Sequence, residues 1–337
     1  MATIATASCL KFQNLVSFGD SITDEGRLPY FVNNGELPPA GMIVPPNNKT
    51  ASGGQSWPRF VAQKAGVNSL NYAIGGAVCS NELVPRYNPD FWGEEPMPAI
   101  MDNEIPTYLA ELELDFYEGG RTADNTVYTL WIGTNDMGSL GYLSDQQAPG
   151  KTITDFVECN WEIFDVIYET GGRHFVLFNV FPYDQAPLYN LPERGGRPDP
   201  AFNPGKTETN MTLFYVKAQQ YSTSINTMFD YGAPFQLLTE NRWPGVTLTV
   251  VDIHSLMSDI IASPEGHLEA PANVTGVYTV CKDLLGLHCI DSEESKDSFM
   301  FYDDLHPSER MEEIFADEFL KALAGTSEYA KTYKSHK

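Results

Sequence analysis

A serine near the start of the chain lies just after a short apolar run, in the sequence Gly19-Asp20-Ser21. A serine hydroxyl becomes a nucleophile when a neighbouring base accepts its proton, and the preceding glycine allows the tight turn that would present it. Taken alone the tripeptide is a weak signal, because a serine in this position also caps a following helix well. Ser21 is therefore a candidate nucleophile that needs independent support.

A histidine near the C-terminus has an aspartate three residues before it and a proline directly after it, in Asp303-Asp304-Leu305-His306-Pro307. Asp303 can reach the imidazole from the same loop and hold it oriented for proton transfer. Pro307 restricts the backbone at His306. The alternative is a solvated loop that leads into a helix, and the segment alone does not decide between the two.

Two further candidate features follow apolar runs. Gly75-Gly76 ends one run, and glycine lets a backbone N–H approach a ligand with no side chain in the way. Gly133-Thr134-Asn135 ends another run and supplies a side-chain amide donor. Each pattern by itself is ordinary turn chemistry. The significance of these residues depends on whether the fold brings them together.

The elements that would position these residues are five short runs of apolar, β-branched or aromatic side chains. Such runs are typical of parallel strands buried on both faces, and helical patterns lie between them. The predicted strands are Leu15–Phe18, Ser69–Ile74, Val127–Ile132, His174–Val180 and Val246–Ile253. This alternation predicts one doubly wound α/β sheet. Ligands bind such sheets beyond the carboxyl ends of the strands, where three of the candidate features lie.

Helical periodicity is clearest in three segments. They are Trp57–Ala65, Ile153–Glu169 and a final helix that follows Pro307-Ser308 and stops at Gly325. Four loops, over residues 27–56, 80–124, 183–200 and 262–298, are longer than connectivity requires, and long loops on an α/β frame usually build the site. The chain has no internal repeat and no linker. One domain is expected over residues 12–325, with residues 1–11 and 326–337 as terminal extensions.

Composition and charge exclude several classes of function. The 337 residues include 21 Lys+Arg against 45 Asp+Glu, a formal net charge of −24, which opposes binding to nucleic acid or anionic lipid. No run approaches the roughly 18 to 20 apolar residues of a membrane-spanning helix, so a soluble chain with no membrane partner is expected. Residues 1–11 do not read as a signal peptide, so any signal has been removed or never existed. Sequons at Asn48, Asn210 and Asn273 nevertheless favour a secreted glycoprotein.

The five cysteines have no spacing typical of a metal site. Cys281 and Cys289 are the close pair, and a disulfide between them would close a small loop in a secreted protein. Two reduced thiols are the alternative. Cys9, Cys79 and Cys159 are expected to be buried apolar residues, since free cysteine packs as a small hydrophobic side chain.

Taken together, the four candidate features resemble the sequence blocks of the SGNH, or GDSL-type, hydrolase superfamily. The resemblance extends from Phe18 to Pro307, and its blocks are Gly19-Asp20-Ser21, Gly76, Gly133-x-Asn135 and Asp303-x-x-His306. One departure is Ile22, where many members have leucine. The resemblance implies a three-layer α/β/α sandwich, flavodoxin-like, with a five-stranded parallel sheet and long loop insertions.

The resemblance also implies a serine esterase. Ser21 would attack the ester carbonyl, His306 would accept its proton, and Asp303 would orient the imidazole. Asp304 is the alternative orienting residue, but its adjacent spacing directs its side chain elsewhere, so Asp303 is preferred. No metal or organic cofactor is implied.

The oxyanion of the reaction would be held by three donors, the backbone N–H groups of Ser21 and Gly76 and the side-chain amide of Asn135. Within the superfamily, the length, acidic charge, sequons and decorated loops resemble fungal secreted acetylesterases of carbohydrate esterase family 16. That likeness implies an extracellular enzyme whose substrates are small-molecule or oligosaccharide esters, the acetylated sugars of hemicellulose.

Aromatic residues in or beside the long segments could stack on sugar faces, although local core packing is the alternative. They are Trp57, Tyr87, Phe91, Trp92, Tyr189 and Trp243. Two other functions stay open: a lipase or phospholipase of the same superfamily acting on longer acyl esters, and a carbohydrate-binding pseudoenzyme. Acyl length, sugar identity and oligomeric state do not follow from the sequence.

Overall fold

The structure, a computed structural model, describes residues 11–88, 92–114, 116, 120–203, 205–282 and 288–335. Its central sheet contains the strands β1 (Asn14–Gly19), β2 (Asn68–Asn71), β3 (Thr126–Trp131), β4 (His174–Phe178), β5 (Thr247–Val251) and β10 (Ala330–Lys334). The spatial order is β10-β5-β4-β3-β1-β2. Strands β1 to β5 are parallel, so their carboxyl ends lie along one edge of the sheet.

The five parallel strands confirm the predicted α/β sheet, and each overlaps its predicted run. A sixth strand was not predicted. β10 pairs antiparallel with β5, with Tyr333 opposite Leu248, and lies in the segment that the sequence assigned to a terminal extension. The domain boundaries stay a prediction, but the main sheet continues to Lys334.

Within the described residues, the helices with assigned bounds are α1 (Arg27–Asn34), α2 (Trp57–Ala65), α3 (Ile105–Ala110), α4 (Ile153–Glu169), α5 (Met211–Pro234), α6 (Ile253–Ala262) and α7 (Glu309–Ala324). The predicted bounds of α2, α4 and α7 are confirmed. Their ends follow local chemistry: Ser308 accepts the N–H of Met311 at the start of α7, and Gly325 ends that helix with a left-handed φ of 70°.

Helices cover both faces of the sheet, as the three-layer prediction required. On one face, Trp131 of β3 stacks on Phe178 of β4, and Phe178 contacts Trp57 of α2 and Phe319 of α7. On the other face, Phe164 of α4 stacks on Phe175 of β4. Buried aromatic area of this kind contributes strongly to core stability, so the two aromatic clusters fix the helices against the strands that carry the site.

The aromatic residues considered for sugar stacking divide between core and surface. Trp57, Tyr189 and Trp243 are almost fully buried, so for these three the stacking interpretation is wrong. Tyr87 is 56% exposed, and Trp92 stacks on Phe31 of α1. Phe91 lies outside the described residues. Trp57 and Trp243 contact the β4 residues Phe178 and Phe175, and Tyr189 packs edge-on against Tyr183 within its own loop.

The long loops contain short elements of their own. Residues 27–56 include α1, and residues 80–124 include α3 and a π-helical turn at Ile100–Glu104. Residues 183–200 form 3₁₀ turns. Residues 262–298 carry β6 (Asn273–Val277), β7 (Thr279–Cys281) and β8 (Cys289–Asp291), and β6 pairs with β9 (Phe299–Phe301). In the described part of the chain no helix is both long and apolar enough to cross a membrane.

The part of the chain that the structure describes contains two disulfides. Cys281–Cys289 joins β7 to β8, as the short separation suggested. Cys79–Cys159 ties the loop after β2 to α4, so the two residues are buried as expected, but they are bonded to each other rather than packed as free thiols. The 80-residue separation of that pair carries no signal in one sequence, because only the packing of α4 against the sheet brings the two residues together. Cys9 lies outside the described residues.

Candidate active site

Ser21, His306 and Asp303 form a continuous hydrogen-bonded chain at the carboxyl edge of the sheet. Ser21 Oγ lies 2.7 Å from His306 Nε2. His306 Nδ1 lies 3.0 Å from Asp303 Oδ1 and 2.9 Å from Oδ2. Each ring nitrogen thus has one polar partner, a hydroxyl on one side and a carboxylate on the other. This arrangement allows the imidazole to take a proton from the hydroxyl while the carboxylate stabilises the cation that forms.

The loop between β9 and α7 holds Asp303 against His306. Asp303 Oδ1 accepts the backbone N–H groups of Leu305 at 2.9 Å and His306 at 2.7 Å. Tyr302 N–H donates to the His306 carbonyl at 2.8 Å, which closes the turn. The spacing of three residues therefore places the Asp303 carboxylate beside His306 Nδ1 within one compact turn.

Asp304, the alternative orienting residue, lies against a different partner. Its carboxylate is 2.6 Å from Arg197 Nε and accepts the N–H of Ala201 at 3.1 Å, and its carbonyl accepts the N–H of Leu188 at 2.7 Å. Burial raises the pKa of Asp304 to about 6, against the opposing charge of Arg197. Asp304 thus attaches the segment 183–201 to the loop that carries His306.

The electrostatic environment of His306 favours its protonated form. The side chain is buried, which by itself lowers the pKa, but the charge of Asp303 and its hydrogen bond outweigh this effect, and the charges of Asp20 and Asp304 add to them. The pKa of His306 is therefore raised above its ordinary value of 6.5. Phe202 packs edge-on against the ring at 5.3 Å and shields it from solvent on that side.

Gly76 and Asn135 lie in the turns that follow β2 and β3. Gly76 has a φ of 86°, a backbone conformation that favours glycine, and the nearest neighbour to an added Cβ would be the flexible end of Met97, with Cε at 2.6 Å. Arg86 Nη1 donates to the Gly76 carbonyl at 2.7 Å. Asn135 Nδ2 donates to the carbonyl of Ala77 at 2.9 Å, which links the two turns directly. Asn135 has a second N–H that can be offered to a ligand.

Two buried aspartates adjoin these residues, and sequence reasoning missed both. Asp20 precedes Ser21 and accepts the N–H of Ile22 at 3.1 Å, and Asp136 follows Asn135 and accepts the N–H of Cys79 at 2.9 Å. Burial raises the pKa of Asp20 to about 6 and that of Asp136 to about 7. The only sequence signal was adjacency to a candidate residue, which does not distinguish a buried acid from an exposed one.

A cavity of about 290 Å³ opens beside Ser21 and Asp303. One part of its wall is apolar and includes Leu28, Pro29, Phe202 and the Cys281–Cys289 disulfide; another part is polar and includes Asn47, Lys49 and Thr50. The wall therefore includes residues from two of the four long loops, 27–56 and 262–298, and Ala201 and Phe202, which lie just beyond a third loop, 183–200. Among the described residues, no cluster of His, Cys, Asp and Glu has the arrangement of a metal site.

Comparison with known proteins identifies the family. The family model described as GDSL-like Lipase/Acylhydrolase matches residues 15–319. The chain belongs to this family. A curated acetylesterase from Hypocrea jecorina is 43% identical over 326 residues, which cover 96% of this chain and 92% of that protein. This GDSL family member is therefore a carboxylic ester hydrolase, and the resemblance inferred from the four blocks is confirmed.

More distant relatives carry similar names. An acetylesterase from Thermothelomyces thermophilus is 29% identical over 53% of this chain and 58% of its own length. A GDSL esterase/lipase from Arabidopsis thaliana is 24% identical over 96% of this chain and 95% of its own length. Among solved structures, an acetylxylan esterase from Geobacillus stearothermophilus aligns over 94% of this chain and 95% of its own, with a TM-score of 0.44 and 12% identity.

Proposed function

We propose that this esterase hydrolyses short acyl esters, chiefly acetyl esters of hemicellulose-derived sugars, with Ser21, His306 and Asp303 as its catalytic residues. The observation that carries the proposal is the hydrogen-bonded chain from Asp303 through His306 to Ser21 Oγ, with contacts of 2.9 Å and 2.7 Å. A nucleophile, a base and an orienting carboxylate in this order are what acyl transfer requires.

In the first step Ser21 Oγ attacks the ester carbonyl carbon while its proton passes to His306 Nε2. Asp303 holds the Nδ1–H and stabilises the imidazolium. The tetrahedral intermediate then breaks its bond to the sugar oxygen, which leaves with the proton from His306. A water molecule repeats the attack on the acyl-serine, with His306 again as base, and acetate is released.

The negative charge on the tetrahedral oxygen needs donors that are already in place. We assign the backbone N–H groups of Ser21 and Gly76 and the side-chain amide of Asn135 to this role. Within the described residues neither backbone N–H has a protein acceptor. The hydrogen bond from Asn135 to Ala77 keeps the amide beside the Gly76 turn, so little reorganisation is needed when the charge develops.

Four observations favour a small polar ester as substrate. The cavity of about 290 Å³ lies at the lower end of the range for ligand pockets, which leaves little room for a long acyl chain. Its polar wall can hydrogen-bond sugar hydroxyl groups. The net charge of −24 repels anionic lipid surfaces. The curated relatives named acetylesterase support an acetyl group as the acyl part of the substrate of this chain.

The substrate assignment predicts a preference of at least about 10²-fold in kcat/KM for acetylated xylo-oligosaccharides over a dispersed long-chain ester. The physical reason is the small volume of the cavity, about 290 Å³, together with a polar wall that can hydrogen-bond sugar hydroxyl groups. Initial rates for both substrates, with the Ser21→Ala variant as background, measure the ratio. Preference for the long-chain ester, or activation by a lipid interface, would transfer the assignment to a lipase.

The mechanism also predicts the pH dependence. His306 accepts a proton only when neutral and its pKa is raised above 6.5, so kcat/KM should increase with pH through an apparent pKa above that value. Asp303→Asn removes the charge that raises the pKa, so its profile should move to lower pH with a lower kcat. Rates from about pH 5 to about pH 9 at constant ionic strength test this. Activity that declines over the whole range as pH rises would contradict His306 as the base.

We also propose an extracellular glycoprotein. Two disulfides are typical of oxidising compartments. Asn48 and Asn210 are exposed, and Asn273 is partly exposed at the start of β6. Asn210 caps α5 through its Oδ1, which leaves its Nδ2 available for a glycan. Mass spectrometry of tryptic glycopeptides from a secreting host tests occupancy at each position.

A further inference from the structure

A buried carboxylate joins the end of β1 to the turn that follows β2, the two segments that precede the assigned oxyanion donors. Glu104 ends the π-helical turn Ile100–Glu104 and is 1% exposed. Its Oε2 accepts the backbone N–H of Gly19 at 3.1 Å, and its Oε1 accepts that of Ile74 at 3.1 Å. Gly19 lies two residues before Ser21, and Ile74 lies two residues before Gly76. One side chain thus holds both backbone segments.

Other contacts limit the freedom of the same segments. Ile74 N–H also lies 3.3 Å from the Gly19 carbonyl, so the two segments are in direct contact. Asp24 Oδ2 accepts the N–H of Gly75 at 2.8 Å, while Asp24 Oδ1 accepts two N–H groups at the start of α1. Asp24 borders the substrate cavity, whereas Glu104 does not. Glu104 therefore contacts the backbone behind the site without reaching the substrate.

We propose that Glu104 is a positioning residue that fixes the distance between the Ser21 and Gly76 N–H groups in the transition state. This inference rests on the proposed function, because it concerns the oxyanion donors assigned there. A backbone donor stabilises the tetrahedral oxygen only if it is already aimed at that atom. Without Glu104, the contact between Gly19 and Ile74 and the hydrogen bond from Gly75 to Asp24 remain, but the acceptor that spans Gly19 and Ile74 is lost. π-Helical turns often occur at functional sites, and here the turn supplies this acceptor.

A graded series of variants at Glu104 tests the proposal. Glu104→Gln keeps one acceptor oxygen, and Glu104→Met keeps none at similar size. We expect kcat to fall by about tenfold or more for Met and by less for Gln, with KM changed by less than about threefold, because the lost alignment matters most in the transition state. Inhibition by an alkyl boronic acid, which forms a tetrahedral adduct with serine, should weaken by the same factors as kcat.

Glu111 provides a matched control. It is also buried, at 3% exposure, and also accepts two hydrogen bonds, from Gly41 N–H at 3.0 Å and Tyr72 Oη at 2.6 Å. Glu111→Gln and Glu111→Met should lower the melting temperature about as much as the Glu104 variants and leave kcat within about twofold. A merely structural Glu104 would behave like Glu111 in every readout.

The outcomes separate this proposal from the one on which it rests. If Ser21→Ala keeps full activity, the proposed function fails. If Ser21→Ala is inactive but the Glu104 variants match the Glu111 variants in kcat and boronate inhibition, only the role of Glu104 is overturned. A loss confined to KM overturns it as well. If Glu104→Met does not fold, Glu104→Gln carries the test, and failure of both to fold would assign Glu104 to folding instead.

Discussion

Replacement of Ser21 by alanine is expected to abolish ester hydrolysis, with a loss of about 10⁴-fold or more in kcat. The hydroxyl is the only group removed, and its oxygen forms the covalent bond to the acyl group. The effect on stability should be small, because Ser21 is only partly buried and its Oγ contacts His306 at the cavity rather than the core. Steady-state rates on an acetyl ester and thermal melting of the same sample provide the measurement.

Ser258→Ala is a suitable control for that experiment. Ser258 lies on α6, and its hydroxyl donates to the His254 carbonyl at 2.7 Å, so the substitution removes a comparable hydrogen bond away from the site. This control should keep full activity. Turnover retained by Ser21→Ala would remove Ser21 from the mechanism and leave the esterase without an identified nucleophile.

The second large effect is expected at Asn135. Asn135→Ala should lower kcat by roughly 10²- to 10³-fold with little change in KM, because the lost donor acts on charge that exists only in the transition state. The substitution also removes the hydrogen bond to Ala77 that keeps the Gly76 turn in place. Both consequences act on the same oxyanion. Initial rates over a range of acetyl ester concentrations that spans KM separate the two parameters.

Asn160 supplies the control for Asn135. It is fully buried on α4, and its Nδ2 donates to the Phe156 carbonyl at 2.8 Å. Asn160→Ala should reduce the melting temperature without a comparable loss in kcat. An Asn135→Ala variant that raised KM at unchanged kcat would show that Asn135 binds the ground-state substrate instead.

Many of the helices and strands could be predicted because the sequence patterns that identify them are local. The apolar face of α4 repeats at helical spacing, and Thr152 and Asp155 at its start form a capping box, so the helix has the predicted bounds. Four of the five parallel strands, β1, β3, β4 and β5, are almost continuous buried runs, which is typical of parallel strands covered on both faces. Asp303 and His306 share one turn, so their contact depends on three residues of chain rather than on the fold.

The rest depends on contacts between distant segments. Glu104 meets Gly19 across 85 residues, and nothing around it in the sequence marks it as buried. α5 was not predicted as an element, because its apolar residues are spread around the helix rather than gathered on one face. β10 is short, and most of its side chains are at least partly exposed, so only its pairing with β5 identifies it as a strand.

The Cys79–Cys159 disulfide makes the stability of the protein depend on the redox conditions under which it was produced. Cys79 lies three residues after Gly76, and the bond closes a separation of 80 residues. A disulfide that closes a loop of that length lowers the entropy of the unfolded chain. This effect increases the free energy of unfolding by about 4 to 5 kcal/mol. Enzyme made in a reducing bacterial cytosol and enzyme made in an oxidising secretory pathway thus share one sequence but differ in resistance to unfolding. The choice of production host therefore decides which of the two molecules reaches the assay.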